Sequence, residues 1–139
     1  MKKEQAVQLT PEEELQVIID KAKKKHGRVY KTIIADEVII WRLLKRSEFK
    51  EVMNKVVYRQ EFAEDENGNL VYDENGNNVM IDVQDEDLTY EMRQEEIAKA
   101  VILYPQGIVE NMAAVAEIIS TECMIKSGFG EAPVTEQCL

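Results

Sequence analysis

The sequence predicts an α+β fold with four helices, an N-terminal β-hairpin and an inserted β-meander arm. Three observations carry that prediction. Apolar residues recur at three- and four-residue spacing in four separate stretches. Two runs of β-branched and aromatic residues stand between the first two of those stretches. The pentapeptide Asp-Glu-Asn-Gly-Asn occurs twice in the middle of the chain, and each copy carries a hairpin-turn dipeptide.

Residues 1–9 show no periodic pattern and read as a loose leader. The first helix opens at Thr10-Pro11-Glu12-Glu13, which supplies an N-cap, a proline at the first helical position and a glutamate to close a capping box. Leu15, Ile18, Ile19 and Ala22 then share one face, and Gly27 follows His26 where a left-handed cap residue ends a helix. Val29–Ile34 and Val38–Leu43 read as the two strands of a hairpin, with Ala35-Asp36-Glu37 as the polar break. Alternation puts Ile39, Trp41 and Leu43 on one face and Val38, Ile40 and Arg42 on the other. Trp41 is expected as a core or interface anchor, because so large an apolar side chain is costly to leave in water. Ser47 is expected to cap a second helix that carries Phe49, Val52, Met53, Val56 and Val57 and runs to about Gln60.

The middle segment differs in kind. Residues 65–69 recur letter for letter as residues 73–77. Asn-Gly accepts the positive φ of a type I′ turn, so two such turns are expected to join three strands into a meander over residues 60–83. A calcium-loop reading fails on spacing, since an EF-hand needs its glycine at position 6 and a bidentate glutamate at 12. Here glycine stands fourth from the Asp, and no helices flank the loop. No metal is expected.

A third helix starts in the acidic turn Asp85, Glu86, Asp87, which suits the positive end of the helix dipole. Leu88, Met92, Ile97, Ala100, Val101 and Leu103-Tyr104 form its apolar side until Pro105 stops it. The fourth helix is expected from about Val109 to Ser127 along Met112, Ala113, Ala116, Ile119 and Cys123, with Gly128 as cap and Phe129 folding back on the last turn. The organisation is therefore a helix-hairpin-helix part over residues 10–59, a meander insertion over 60–84, a two-helix part over 85–129 and a tail over 130–139.

At 139 residues the chain has room for one ordinary domain or a small domain carrying an arm. With 45% apolar and 32% charged residues it reads as soluble and globular, not as disordered. No apolar run approaches the roughly 20 residues of a membrane span, and glutamates, not an apolar segment, follow the N-terminal lysines. The formal charge of −10 is unevenly placed: residues 1–50 hold 12 Lys/Arg and 8 Asp/Glu, residues 51–139 hold 5 and 19. Such polarity suits stacking of copies head to tail. The run Lys21, Lys23, Lys24, Lys25, His26, Arg28 reads as the solvated end of a helix, and the acidic remainder argues against nucleic-acid binding. Cys123 is expected as a buried thiol and Cys138 as an exposed one, matching a reducing compartment.

Catalysis has little to work with. His26 is the sole imidazole, so Ser-His-Asp, Cys-His and multi-His metal sites have no material. There is no phosphate-cradling glycine loop and no CxxC pair, and Glu95-Glu96 carries no acid–base information without a cleft. The expectation is a protein that is not an enzyme and holds no cofactor.

Three stretches together carry a resemblance: Val29–Val52 (VYKTIIADEVIIWRLLKRSEFKEV), Arg93–Pro105 (RQEEIAKAVILYP) and Ala113–Phe129 (AAVAEIISTECMIKSGF). In this order they resemble small tail proteins of long-tailed bacteriophages, the tail assembly chaperones and the baseplate hub and hub-assembly proteins. The doubled Asp-Glu-Asn-Gly-Asn segment departs from that pattern. The resemblance implies an α+β protein made in the cytoplasm of an infected bacterium and acting in tail building without chemistry. It implies tape-measure, tube or baseplate hub components as partners, with self-association also open. As a chaperone the chain would cover apolar stretches of a tail component until the tube replaces it. As a hub or tail subunit it would remain in the virion tail, its arm pairing with neighbours by strand addition. A host-directed binding protein that inhibits a bacterial factor is the alternative of another class. The residues nominated for interaction are Trp41, Arg42, Phe49, Tyr72 and Tyr104, with Trp41 and Phe49 anchoring the hairpin to the second helix.

Overall fold

The computed structural model describes residues 8–129 and 135–138. Residues 1–7 of the expected leader, and residues 130–134 and 139 of the expected tail, lie outside the described residues. The fold is α+β, with five helices and two small antiparallel sheets among the described residues. Helix α1 (Pro11–His26) begins as its sequence requires. Thr10 Oγ1 accepts the Glu13 N–H at 3.2 Å and donates to the Glu13 carboxylate at 3.0 Å. Gly27, at φ 78°, ends the helix by donating its N–H to the Lys23 carbonyl at 2.8 Å.

Strands β1 (Val29–Ile34) and β2 (Glu37–Arg42) pair antiparallel from Val29↔Arg42 to Ile34↔Glu37. The connection is therefore two residues long. Ala35 and Asp36 both take left-handed φ (47° and 65°), the type I′ geometry whose twist matches a two-residue hairpin. Glu37 belongs to the strand and not to the polar break.

Trp41, 1% exposed, stacks on its cross-strand partner Tyr30 with centroids 4.7 Å apart and donates Nε1–H to Thr32 Oγ1 at 2.9 Å. One face of β2 (Ile39, Trp41) joins Leu44, Val52, Ile97, Ala98, Val101, Ile108, Val115, Ala116, Ile119 and Cys123 in a single core. That core sits between the sheet and the paired helices α3 (Glu86–Val101) and α5 (Ala113–Lys126), whose close approach uses the small buried residues Ala98, Ala116 and Ser120. Helix α1 crosses the other face. Its N-terminal end (Pro11, Glu12, Leu15) shares a cleft with Val38 and Tyr104, and Ile40, two residues on from Val38, is buried.

Four expectations need correction. Helix α2 (Arg46–Asn54) is not capped by Ser47 and does not reach Gln60. Lys45 is its N-cap residue, and the Glu48 carboxylate caps it by accepting the Lys45 N–H at 3.0 Å. It ends early because α3 captures the chain beyond it. Arg93 donates to the carbonyls of Met53 (2.9 Å) and Lys55 (3.3 Å), Thr89 Oγ1 accepts the Val57 N–H (3.0 Å), and the Asp85 N–H donates to Val57 O (2.8 Å). Residues 58–62 are then a strand, β3 (Tyr58–Phe62), paired with β4 (Met80–Gln84).

The third helix stops at Val101, and Ile102–Tyr104 form strand β5 on the open edge of β2, giving the order β1-β2-β5. The buried backbone groups on that edge need partners, which the helical periodicity of residues 88–104 does not reveal. The fourth helix is broken at Met112, which is extended (φ −133°, ψ 107°). The short piece α4 (Ile108–Asn111) folds against α3 and α5, a position that a straight continuation of α5 does not allow. The expected meander is replaced by a three-way junction, described below.

Cys123 is buried and Cys138 exposed, both as free thiols, and Phe129 does fold back, donating its N–H to Met124 O at 2.9 Å. No described helix is long and apolar enough to cross a membrane.

Trp41→Ala is expected to cost about 3–5 kcal/mol in urea unfolding, since it empties the centre of the core. Ala35→Asn with Asp36→Gly, installing the pair that suits left-handed φ at both turn positions, is expected to stabilise by about 1 kcal/mol in the same measurement.

Candidate interaction surface

The inserted segment is built by local hydrogen bonds. In each pentapeptide one Asp carboxylate oxygen accepts two backbone N–H groups, Asp65 Oδ1 from Asn67 and Asn69 and Asp73 Oδ1 from Asn75 and Asn77, all at 2.9 Å. Gly68 and Gly76 (φ 79° and 78°) donate to the carbonyls of Asp65 and Asp73 at 3.0 and 3.1 Å. Among the described residues only Ala35 and Asp36 are non-glycine residues at positive φ, so Asn67 and Asn75 are not left-handed. The turns are thus type I turns closed by a glycine bulge and not the expected type I′. Each closes on itself through a single bridge, Glu64↔Leu70 and Tyr72↔Asn78.

The three ribbons meet in a ring. The Ala63 N–H donates to Val79 O (2.8 Å), the Val71 N–H to Ala63 O (3.0 Å), and the Val79 N–H to Val71 O (3.0 Å). These residues stand eight apart, one per repeat, so the period of the doubled pentapeptide is also the period of the junction. In a meander the middle strand would pair with both neighbours. Here β3 pairs directly with β4, and each turn is a separate leaf.

Strand alternation sorts the side chains. Ala63, Val71 and Val79, all half-buried, occupy one face of the junction. Their chain neighbours Phe62, Glu64, Leu70, Tyr72, Asn78 and Met80 encircle the other. Four of those six are large and apolar, yet Phe62 is 53% exposed, Leu70 41%, Tyr72 59% and Met80 45%. Every residue of β3 is exposed, as are all of β4 but Val83. A two-stranded ribbon without a covering layer is marginal in water, and this face has none among the described residues. The same segment carries seven acidic residues, Glu61, Glu64, Asp65, Glu66, Asp73, Glu74 and Asp82, against the single cation Arg59, which pairs with Glu61 and Asp85.

The opposite charge gathers where α1 ends and α2 begins. Lys25, His26, Arg28, Arg42, Leu43, Leu44 and Lys45 line a cleft of about 270 Å³. His26 stands in its field: burial, then Arg42, Lys25 and Lys45, hold its pKa below the ordinary imidazole value.

Of the nominated residues, Trp41 is buried, which corrects its nomination as a contact residue, while Arg42 is half-buried and lines the basic cleft. Trp41 is closed in by the core. Arg42 donates to both oxygens of Glu48 (2.8 and 2.7 Å), to Ala100 O (2.7 Å) and to Leu43 O (3.0 Å). These contacts use all four N–H groups of its two terminal nitrogens. Phe49 is half-buried and stacks on Phe129 with centroids 4.4 Å apart and planes at 4°, so it anchors α2 to the end of α5. Tyr72 lies on the exposed junction face, and Tyr104, 38% exposed, lines the cleft beside α1. Phe62, Leu70 and Met80 were missed. For Leu70 a signal exists in the sequence: extending the repeat by one residue on either side of each pentapeptide brings Glu64, Leu70, Tyr72 and Asn78 into equivalent places. Among the described residues, no three His, Cys, Asp or Glu side chains converge to hold a metal ion.

The Arg42 hydrogen bonds hold the Glu48 carboxyl below the usual glutamate range against the opposing effect of burial, with the Lys45 N–H adding to them. Stability from a depressed carboxyl is present above the ordinary glutamate pKa and lost as pH falls through the depressed one. Glu48→Gln is therefore expected to cost about 2 kcal/mol at neutral pH. The gap between variant and parent closes as pH drops below about 4, as measured by urea unfolding across pH.

Comparison with protein-family models, with curated proteins and with solved structures finds no match to this chain.

Proposed function

We propose that the chain is a non-enzymatic bacteriophage tail or baseplate assembly protein that acts through protein–protein contacts. The observation that carries the docking part of this reading is the uncovered apolar face of the junction, Phe62, Leu70, Tyr72 and Met80 on a ribbon with no layer of its own. The tail part rests on the resemblance of residues 29–52, 93–105 and 113–129. Those stretches supply β1, β2, α2, the end of α3, β5 and α5, the elements that pack around Arg42 and Trp41. The arm lies between them in sequence. A docking limb on a small packed body suits a subunit or chaperone whose work is contact.

Two modes fit this reading. A transient chaperone shields apolar segments of a tape-measure or tube component and leaves when the tube forms. A retained hub or tail subunit keeps its arm engaged in the finished virion tail. The place of action is the host cytoplasm during assembly, and the particle as well if the subunit is retained.

Mass spectrometry of purified particles, paired with a pull-down from infected cells, tests both modes. Recovery from particles in stoichiometric amount is expected of a subunit. Absence there with capture of a tail component from the cells is expected of a chaperone. In either mode Phe62→Ser with Tyr72→Ser removes the interaction while leaving urea unfolding within about 0.5 kcal/mol of the parent, because both side chains are already exposed. A chain found neither in particles nor with any tail component overturns the reading.

A further inference from the structure

We infer that the arm docks on a second copy of this chain, the acidic junction of one copy seating on the basic end of the next. The inference rests on the reading of the arm as a docking limb and names its occupant. Charge complementarity carries it. Residues 58–84 hold seven acidic residues and one basic, while residues 21–50 hold ten basic and three acidic. Neither excess is neutralised within the fold. Among the described residues, no ion pair involves Glu64, Glu66, Glu74 or Asp82, and none involves Lys21, Lys23, Lys24, Lys25, Arg28 or Lys45.

The geometry sharpens the match. Asp65 and Asp73 are occupied inside their turns, which leaves Glu66 and Glu74 at the two leaf tips as outward charges. The basic end offers a formed cleft, lined by Lys25, His26, Arg28, Arg42 and Lys45.

The two surfaces are different, so the contact is head to tail and each copy keeps one free end of each kind. Such a contact propagates into a ring or a filament and not into a closed two-fold dimer. Complementary fields speed the encounter and reject the like-charged alternatives of arm on arm and basic end on basic end.

Sedimentation velocity of the full chain tests this. At about 0.02 M salt the sedimentation coefficient is expected to rise with protein concentration, and at about 0.5 M salt, where screening is nearly complete within contact distance, to fall to the monomer value. Glu66→Lys with Glu74→Lys makes the arm basic, and Lys24→Glu with Lys25→Glu makes the helix end acidic. Each double variant alone is expected to lose association about tenfold or more. Mixing the two restores it, because each then meets an opposite surface, and circular dichroism confirms that both fold. A parent that is monomeric under all conditions, a variant that associates like the parent, or a mixture that stays monomeric overturns the inference. A monomeric chain that is nonetheless recovered with tail components sinks self-docking alone and leaves the proposed function standing.

Discussion

The fold depends most on how the Arg42 guanidinium is satisfied. A half-buried charge needs partners to offset the water it has lost. Arg42 stands at the end of β2, and its donors reach Glu48 in the first turn of α2, Ala100 in the last turn of α3, and its neighbour Leu43. One side chain therefore fixes the meeting point of three elements, and its fork geometry sets their directions as well as their distance. Glu48 is shared: the same carboxylate that accepts from Arg42 caps α2 through the Lys45 N–H. The residue before Arg42 is Trp41, so the polar node and the largest buried side chain are adjacent. Leu44, two residues on, donates its N–H to Ser127 Oγ at the end of α5.

Helix α3 plays a second organising part. Thr89 and Arg93, one turn apart, hold residues 53–57 extended along it, and that decides where α2 ends and where the arm leaves the body. Beyond that anchor the arm is stabilised by its own backbone ring and its two Asp-nucleated turns, with no apolar layer beneath it. Hydrogen bonds within a few residues shape such a limb but do not bury surface. Its apolar side chains Phe62, Leu70, Tyr72 and Met80 stay exposed.

Charge then divides the molecule in the same way that packing does. The cations collect at the junction of α1, β2 and α2, and acidic residues outnumber basic ones seven to one over residues 58–84, so any contact between the two regions is sensitive to salt.

By itself the sequence determined whatever is decided within a turn or two of chain. The α1 cap at Thr10, its stop at Gly27, the β1–β2 hairpin, the repeat of turns and the burial of Trp41 and Cys123 all follow from neighbouring residues and spacing. Tertiary structure alone decided the early end of α2, the conversion of Ile102–Tyr104 from helix to strand, the bend at Met112, the closing of three ribbons into one ring and the pairing of Arg42 with Glu48 and Ala100. Each of these turns on partners remote in sequence: Arg93 acts on Met53, Tyr104 pairs with Ile40, Ala63 bonds Val79, and Arg42 reaches Ala100. Local propensity records what a segment prefers when alone, and a buried donor or an open strand edge overrides it by an amount that no short window of residues contains.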